Sequence, residues 1–76
     1  MAVQIGAFRD REAARELAQR ARRAGFSPVR VSTVEDVGGA LYAVRVGVYA
    51  TAEDARGAGE RLARALGVTC RVVAAP

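Results

Sequence analysis

Val3-Gln4-Ile5-Gly6-Ala7-Phe8 opens the chain, and Val44-Arg45-Val46-Gly47-Val48-Tyr49 restates it forty-one residues later. Both read Val-x-[Ile/Val]-Gly-x-[Phe/Tyr], alternating as a strand does before yielding to glycine. Each leads into a polar cap and an Ala/Arg-rich helical stretch, closed by Gly25 or Gly67. A repeated strand–turn–helix unit has one apolar face, which it hides against its twin. Beyond the motif the halves agree mainly at Ala and Arg, the commonest residues here, so the strand and the returning glycine carry the repeat.

Outward from that motif the elements follow. In the first strand Val3 and Ile5 fall on one face, and Gln4, Gly6 and Phe8 on the other. Asp10 reads as a helix N-cap, with Glu12 placed to suit the helix dipole. Ala14, Leu17, Ala18, Ala21 and Ala24 form one narrow apolar stripe, and Gly25 closes the helix as a C′ residue. Val29, Val31 and Val34 suggest a second strand, followed by the polar hairpin turn Glu35-Asp36-Val37-Gly38-Gly39. Residues 41–48 read as a third strand, with Tyr42, Val44 and Val46 of one parity and Leu41, Ala43, Arg45 and Gly47 of the other. Thr51 caps a second helix with Asp54 three residues on; Ala55, Ala58, Leu62 and Leu66 supply its buried stripe. Gly57 and Gly59 each cost this helix about 1 kcal/mol relative to Ala, a loss that close approach to the sheet would explain. Residues 69–73 form the last strand.

The order β-α-β-β-α-β predicts an α+β fold, a ferredoxin/RNP-like two-layer sandwich with a four-stranded antiparallel-mixed sheet and both helices on one face. A single domain over residues 3–73 is expected, built from repeats at 3–31 and 44–73. The crossovers are expected to set strands one and three parallel and adjacent in the centre. Gln4 then lies beside Arg45, Gly6 beside Gly47 and Phe8 near Tyr49, all on the open face.

Composition narrows the function. Seventeen of the 76 residues are Ala, so the core must be thin. The net charge of +4 comes from twelve Arg, with no Lys, against eight acids; most of the Arg fall on the helices, as on any solvated helix face. One Cys and no His exclude a disulfide framework within the monomer and an ordinary zinc site, and Cys70 reads as a small core residue. No metal and no cofactor are expected. No run approaches the ~18–20 apolar residues that span a bilayer, and no signal peptide opens the chain. Met1-Ala2 reads as a start placed before a domain boundary, so the targeting segment of the parent protein is expected elsewhere. General acid–base catalysis lacks its usual residues, and Ser27, Ser32 and Thr33 have no base partner, so an enzyme is not expected. RNA-recognition domains share this topology but stack bases on aromatics of the central strands. Here those strands offer Gln4, Gly6, Ala43, Arg45 and Gly47, with Phe8 and Tyr49 only at the ends, so nucleic acid is not expected either.

The first strand, Ala14 and Leu17, Gly25-Phe26, the stretch Leu41-Tyr42-Ala43-Val44-Arg45-Val46-Gly47-Val48-Tyr49, and Glu53-Asp54-Ala55 together closely resemble the SPOR domain, a bacterial module of this length and topology. The resemblance implies binding to peptidoglycan, preferentially to glycan strands stripped of stem peptides, and localisation of a parent cell-wall protein to septal or sporulation sites. It implies an extracytoplasmic location in periplasm or cell wall, no membrane contact by the domain itself, and a monomer or weak dimer. The family's ligand surface is the open sheet face, with nearby loop and helix contributions. By position this assigns Gln4, Gly6, Ala7, Phe8, Tyr42, Arg45, Gly47 and Tyr49 to the glycan site. Two departures stand out: Ala43 replaces a frequent Arg, and Val48 a frequent Pro; Ala7 stands where many members have Ser.

The chemistry of these residues agrees with that assignment. Gln4 can both donate to and accept from a hydroxyl or acetamide. Arg45 can fork onto a lactyl carboxylate. Phe8 and Tyr49 offer apolar faces to sugar C–H groups, and the glycines permit close approach. Each residue also has a purely structural role open to it: Phe8 and Tyr49 sealing the sheet end, Tyr42 sharing core parity with Val44, Arg45 pairing with Glu35 or Asp36. Gln4, polar on a central strand, is least explained by structure alone. The alternative function is a protein-interaction or dimerisation module of ACT-like topology, using the open sheet or a strand edge.

Overall fold

The computed structural model describes residues 1–74. Its elements are β1 (Ala2–Phe8), α1 (Arg11–Arg23), β2 (Val29–Asp36), β3 (Gly39–Val46), α2 (Ala52–Leu66) and β4 (Arg71–Val73), an α+β order matching the expected one. The strands lie in the order β2-β3-β1-β4, with β1 and β3 in the centre. All three pairings are antiparallel. The expected parallel β1–β3 pair is therefore wrong. The crossover through α1 leaves β2 parallel to β1, and the β2–β3 hairpin then reverses the chain, so β3 runs opposite to β1.

That reversal redistributes the partners. Gln4 does face Arg45, but Gly6 faces Val44 and Phe8 faces Tyr42, not Gly47 and Tyr49. The register also slips between Gln4 and Gly6. This bulge inserts Ile5 as an extra residue and returns Gly6 to the helix side, together with Phe8. A side chain added at Gly6 would meet Leu17 of α1 as well as the Phe8 ring, at 2.9–3.0 Å. Strict alternation put Gly6 and Phe8 on the face of Gln4; the bulge overturns that.

The core lies between the sheet and the helices. Val3, Ile5, Val44 and Val46 of the central strands meet Ala14, Leu17, Ala18 and Ala21 of α1 and Ala55, Ala58, Leu62 and Leu66 of α2. Leu62 is the largest wholly buried side chain, so the core is indeed built from small residues. Both caps form as their sequences suggest: Asp10 accepts from the Glu12 N–H at 3.0 Å and Thr51 from the Asp54 N–H at 3.1 Å. Ala24, expected in the stripe, is exposed because the helix ends one residue earlier and Ala24 is its C-cap. Of the two helical glycines, Gly59 lies against Cys70 and Val3, whereas nothing in the structure explains Gly57.

The hairpin is tighter than expected, closing on an Asp36–Gly39 pair with only Val37-Gly38 in the turn. Arg9, between β1 and α1, pairs with Asp36 at 2.9 Å and lies over Gly38. At the other end β3 stops at Val46, two residues short of expectation, because Gly47 turns the chain at φ 81°. β4 is also short, starting at Arg71 rather than residue 69.

Candidate functional site

The site follows from the register. Arg30 faces Arg45, Arg45 faces Gln4, and Gln4 faces Arg71, so four residues from four strands form one line across the sheet. Adjacent strands lie about 4.8 Å apart, so the line is about 14 Å long. Partners in a ladder share a face, and this face carries neither helix. The Arg45 Nε donates to the Gln4 Oε1 at 3.4 Å, and the Arg30 Nη1 donates to the Gly47 carbonyl at 3.2 Å. Among the described residues no carboxylate pairs with any of the three guanidinium groups. Neither hairpin carboxylate pairs with Arg45: Asp36 is taken by Arg9, and Glu35 faces Ala40, five residues along β3 from Arg45.

Beside this line runs a row of small side chains, Ser32, Ala43 and Ala7. The face is therefore a cationic strip flanked by small side chains, of which Ala43 is itself buried. Facing Arg30 with Arg45 directly is unfavourable without an anion between them, because like charges opposite one another on a sheet repel. Guanidinium groups in such a line can fork onto carboxylates, while the Gln4 carboxamide reads neutral donors and acceptors.

Of the residues assigned from the sequence, Gln4, Ala7 and Arg45 lie on this open face. Gly6, Phe8 and Tyr42 lie on the helix side, where Phe8 and Tyr42 pack against the core. Tyr49 also packs on the core, at the opposite end of the sheet from Phe8: its N–H donates to the Met1 carbonyl at 2.7 Å and its carbonyl accepts from the Met1 amine at 2.8 Å. Sequence reasoning missed Arg30 and Arg71. Arg30 was readable, since counting back from a two-residue turn at Val37-Gly38 places it opposite Arg45. Arg71 needed the β1–β4 register, which no sequence signal specifies.

Nothing in the site has the makings of a metal centre: among the described residues no three His, Cys, Asp or Glu come together. Cys70 packs against the core and its Sγ donates to the Gly59 carbonyl at 3.1 Å; burial pushes the thiol above its usual pKa, which disfavours the reactive thiolate.

A bulged central strand, caps in both repeats and a shallow polar sheet face define a small two-layer domain built to present one surface. The chain belongs to the SPOR domain family, whose model matches residues 1–74. Among solved structures it is similar to the RlpA SPOR domain from Pseudomonas aeruginosa, at 26% identity and a TM-score of 0.70, covering 95% of this chain and 97% of that one. It is likewise similar to the peptidoglycan binding domain of the Bacillus subtilis cell wall lytic enzyme CwlC, at 30% identity and a TM-score of 0.71, covering 95% and 84%. No curated protein matches the chain.

Proposed function

We propose that this chain is a non-catalytic module that binds the glycan strands of peptidoglycan and so localises a parent cell-wall protein. The observation that carries this reading is the line Arg30–Arg45–Gln4–Arg71, three guanidinium groups that have no carboxylate partner among the described residues, along with one carboxamide. The likeness to the CwlC domain, named for binding peptidoglycan, supports it. Strands that have lost their stem peptides are the preferred ligand, because removing the peptide turns a lactyl amide into a carboxylate. Each such carboxylate supplies the anion that the facing arginines lack. Gln4, Ala7 and Arg45 make contact together with Arg30 and Arg71, while Gly6, Phe8, Tyr42, Gly47 and Tyr49 shape the sheet beneath them. The location is extracytoplasmic, at septal or sporulation sites, and the domain acts as a monomer or weak dimer without touching the membrane; no described helix is long and apolar enough to cross one.

Co-sedimentation with purified sacculi, before and after amidase treatment, tests the proposal. Binding should rise on amidase-treated sacculi, and Gln4→Ala and Arg45→Ala should weaken it roughly tenfold or more without lowering thermal stability. A tight soluble dimer indifferent to sacculi would instead establish the dimerisation alternative.

A further inference from the structure

The net charge of +4 resides in one part of the fold. Residues 9–33 hold seven Arg against three acids, while in the rest of the chain five Arg meet five acids. Within that segment Arg11, Arg15 and Arg22 of α1 line an open groove of about 530 Å³ with Thr33 and Tyr42, on the helix side of the sheet and away from the Gln4–Arg45 line. Arg22 donates to the Val29 carbonyl at 2.8 Å, and the Arg11 guanidinium lies 5.2 Å from the centre of the Tyr42 ring, opposite Thr33. The helix therefore runs antiparallel to β2, with Arg22 at the strand's start and Arg11 beside its middle.

β2 is also an edge. It pairs with β3 on one side and, among the described residues, with nothing on the other. Its eight residues keep an unbroken register with β3, with no proline and no bulge to blunt the edge. Regular edges of this kind accept an added strand, whose backbone supplies affinity and whose alternate side chains supply specificity.

The two features match in span. Alternate residues of a strand recur every ~6.7 Å; along the helix Arg11 and Arg15 are ~6 Å apart and Arg15 and Arg22 ~10.5 Å, distances that long arginine side chains can even out. From Arg11 to Arg22 is about 16 Å along the helix, close to the ~13 Å covered by three alternate strand positions. We infer that the free edge of β2 takes an extended acidic peptide as a fifth strand, with alternate Asp or Glu side chains reaching Arg11, Arg15 and Arg22. The intervening side chains fall on the open side, next to Ser32 and Val34. A simple polyanion meets the charges but cannot use the backbone groups of the edge, and for that reason a polypeptide is the better match.

Fluorescence anisotropy with labelled eight-residue peptides tests this directly. A peptide alternating Glu with Val or Thr should bind at least tenfold tighter than one of the same composition with its Glu in a block. N-methylating every second amide, in either phase, should reduce binding about tenfold in one phase only, because only one set of N–H groups faces the edge. The double variant R11Q/R15Q should lose about tenfold, whereas R61Q/R64Q on α2 should stay within about twofold. Sacculus binding by R11Q/R15Q should persist, which separates this surface from the glycan face. Equal binding of the blocked peptide, indifference to N-methylation in both phases, or equally tight binding of polyphosphate would overturn the inference and reduce the groove to a bare basic patch.

Discussion

The ring of Tyr49 occupies the space that a side chain on Gly47 would need, and Phe8 stands over Gly6 in the same manner. The Gly-x-aromatic ending shared by both repeats is thus a seat: a residue without Cβ lets the aromatic two positions later fold back onto the backbone. Because β1 and β3 are antiparallel, the two seats lie at opposite ends of the sheet, and each aromatic covers one end of the core. The repeat motif therefore serves packing, which leaves the proposed glycan contacts to other residues of the central strands, Gln4 and Arg45 among them.

Gly47→Ala should destabilise the domain by on the order of 3 kcal/mol, since it combines a left-handed backbone at φ 81° with a collision against the Tyr49 ring. Gly6→Ala meets only side-chain ends and should cost about 1–2 kcal/mol. Urea denaturation midpoints measure both. Adding Tyr49→Ala to the Gly47→Ala variant removes the collision but leaves the backbone strain, so the combined loss should fall short of the sum of the two single losses.

Gly57→Ala should stabilise the domain by about 0.5–1 kcal/mol, because the position is helical and a methyl group there would meet only the far end of Arg61. Gly59→Ala should gain less, since the new methyl lies 3.4 Å from Cys70. Thermal melting of the two single variants compares them; equal gains would contradict the close contact of α2 with Cys70.

Arg30→Ala and Arg71→Ala should each weaken sacculus binding and flatten its dependence on salt, as expected where exposed charges attract a screened anion. Stability should change by less than about 0.5 kcal/mol in either variant. In Arg30→Ala it should hold or rise, because the like charge opposite Arg45 is gone. Sedimentation across a salt series, beside melting curves, checks both statements.

The element order, both N-caps and nearly all of the apolar stripes were legible in the sequence because they depend on residues close together along the chain. Gly25 and Gly67 marked the helix ends for the same reason, and both adopt positive φ. The strand direction was misread because repeat symmetry invites a side-by-side alignment, whereas a hairpin between the repeats forces antiparallel pairing. The bulge at Ile5 left no mark in the residue pattern: alternation through Gly6 looks regular until its packing against Leu17 is seen. Gln4 and Arg45 were nonetheless paired correctly, since a reversed register crosses the assumed one at that position. Arg71 depends on how far β4 reaches along β1, which tertiary packing decides.

β4 contributes only three residues to the sheet, yet it supplies the last member of the cationic line. An occupant spanning all four strands would clamp this short segment to its neighbours, coupling retention of the ligand to local fraying. Amide protons of Arg71–Val73 would then exchange more slowly in the loaded domain, and weakening this strand alone would speed ligand departure while the rest of the surface stayed intact.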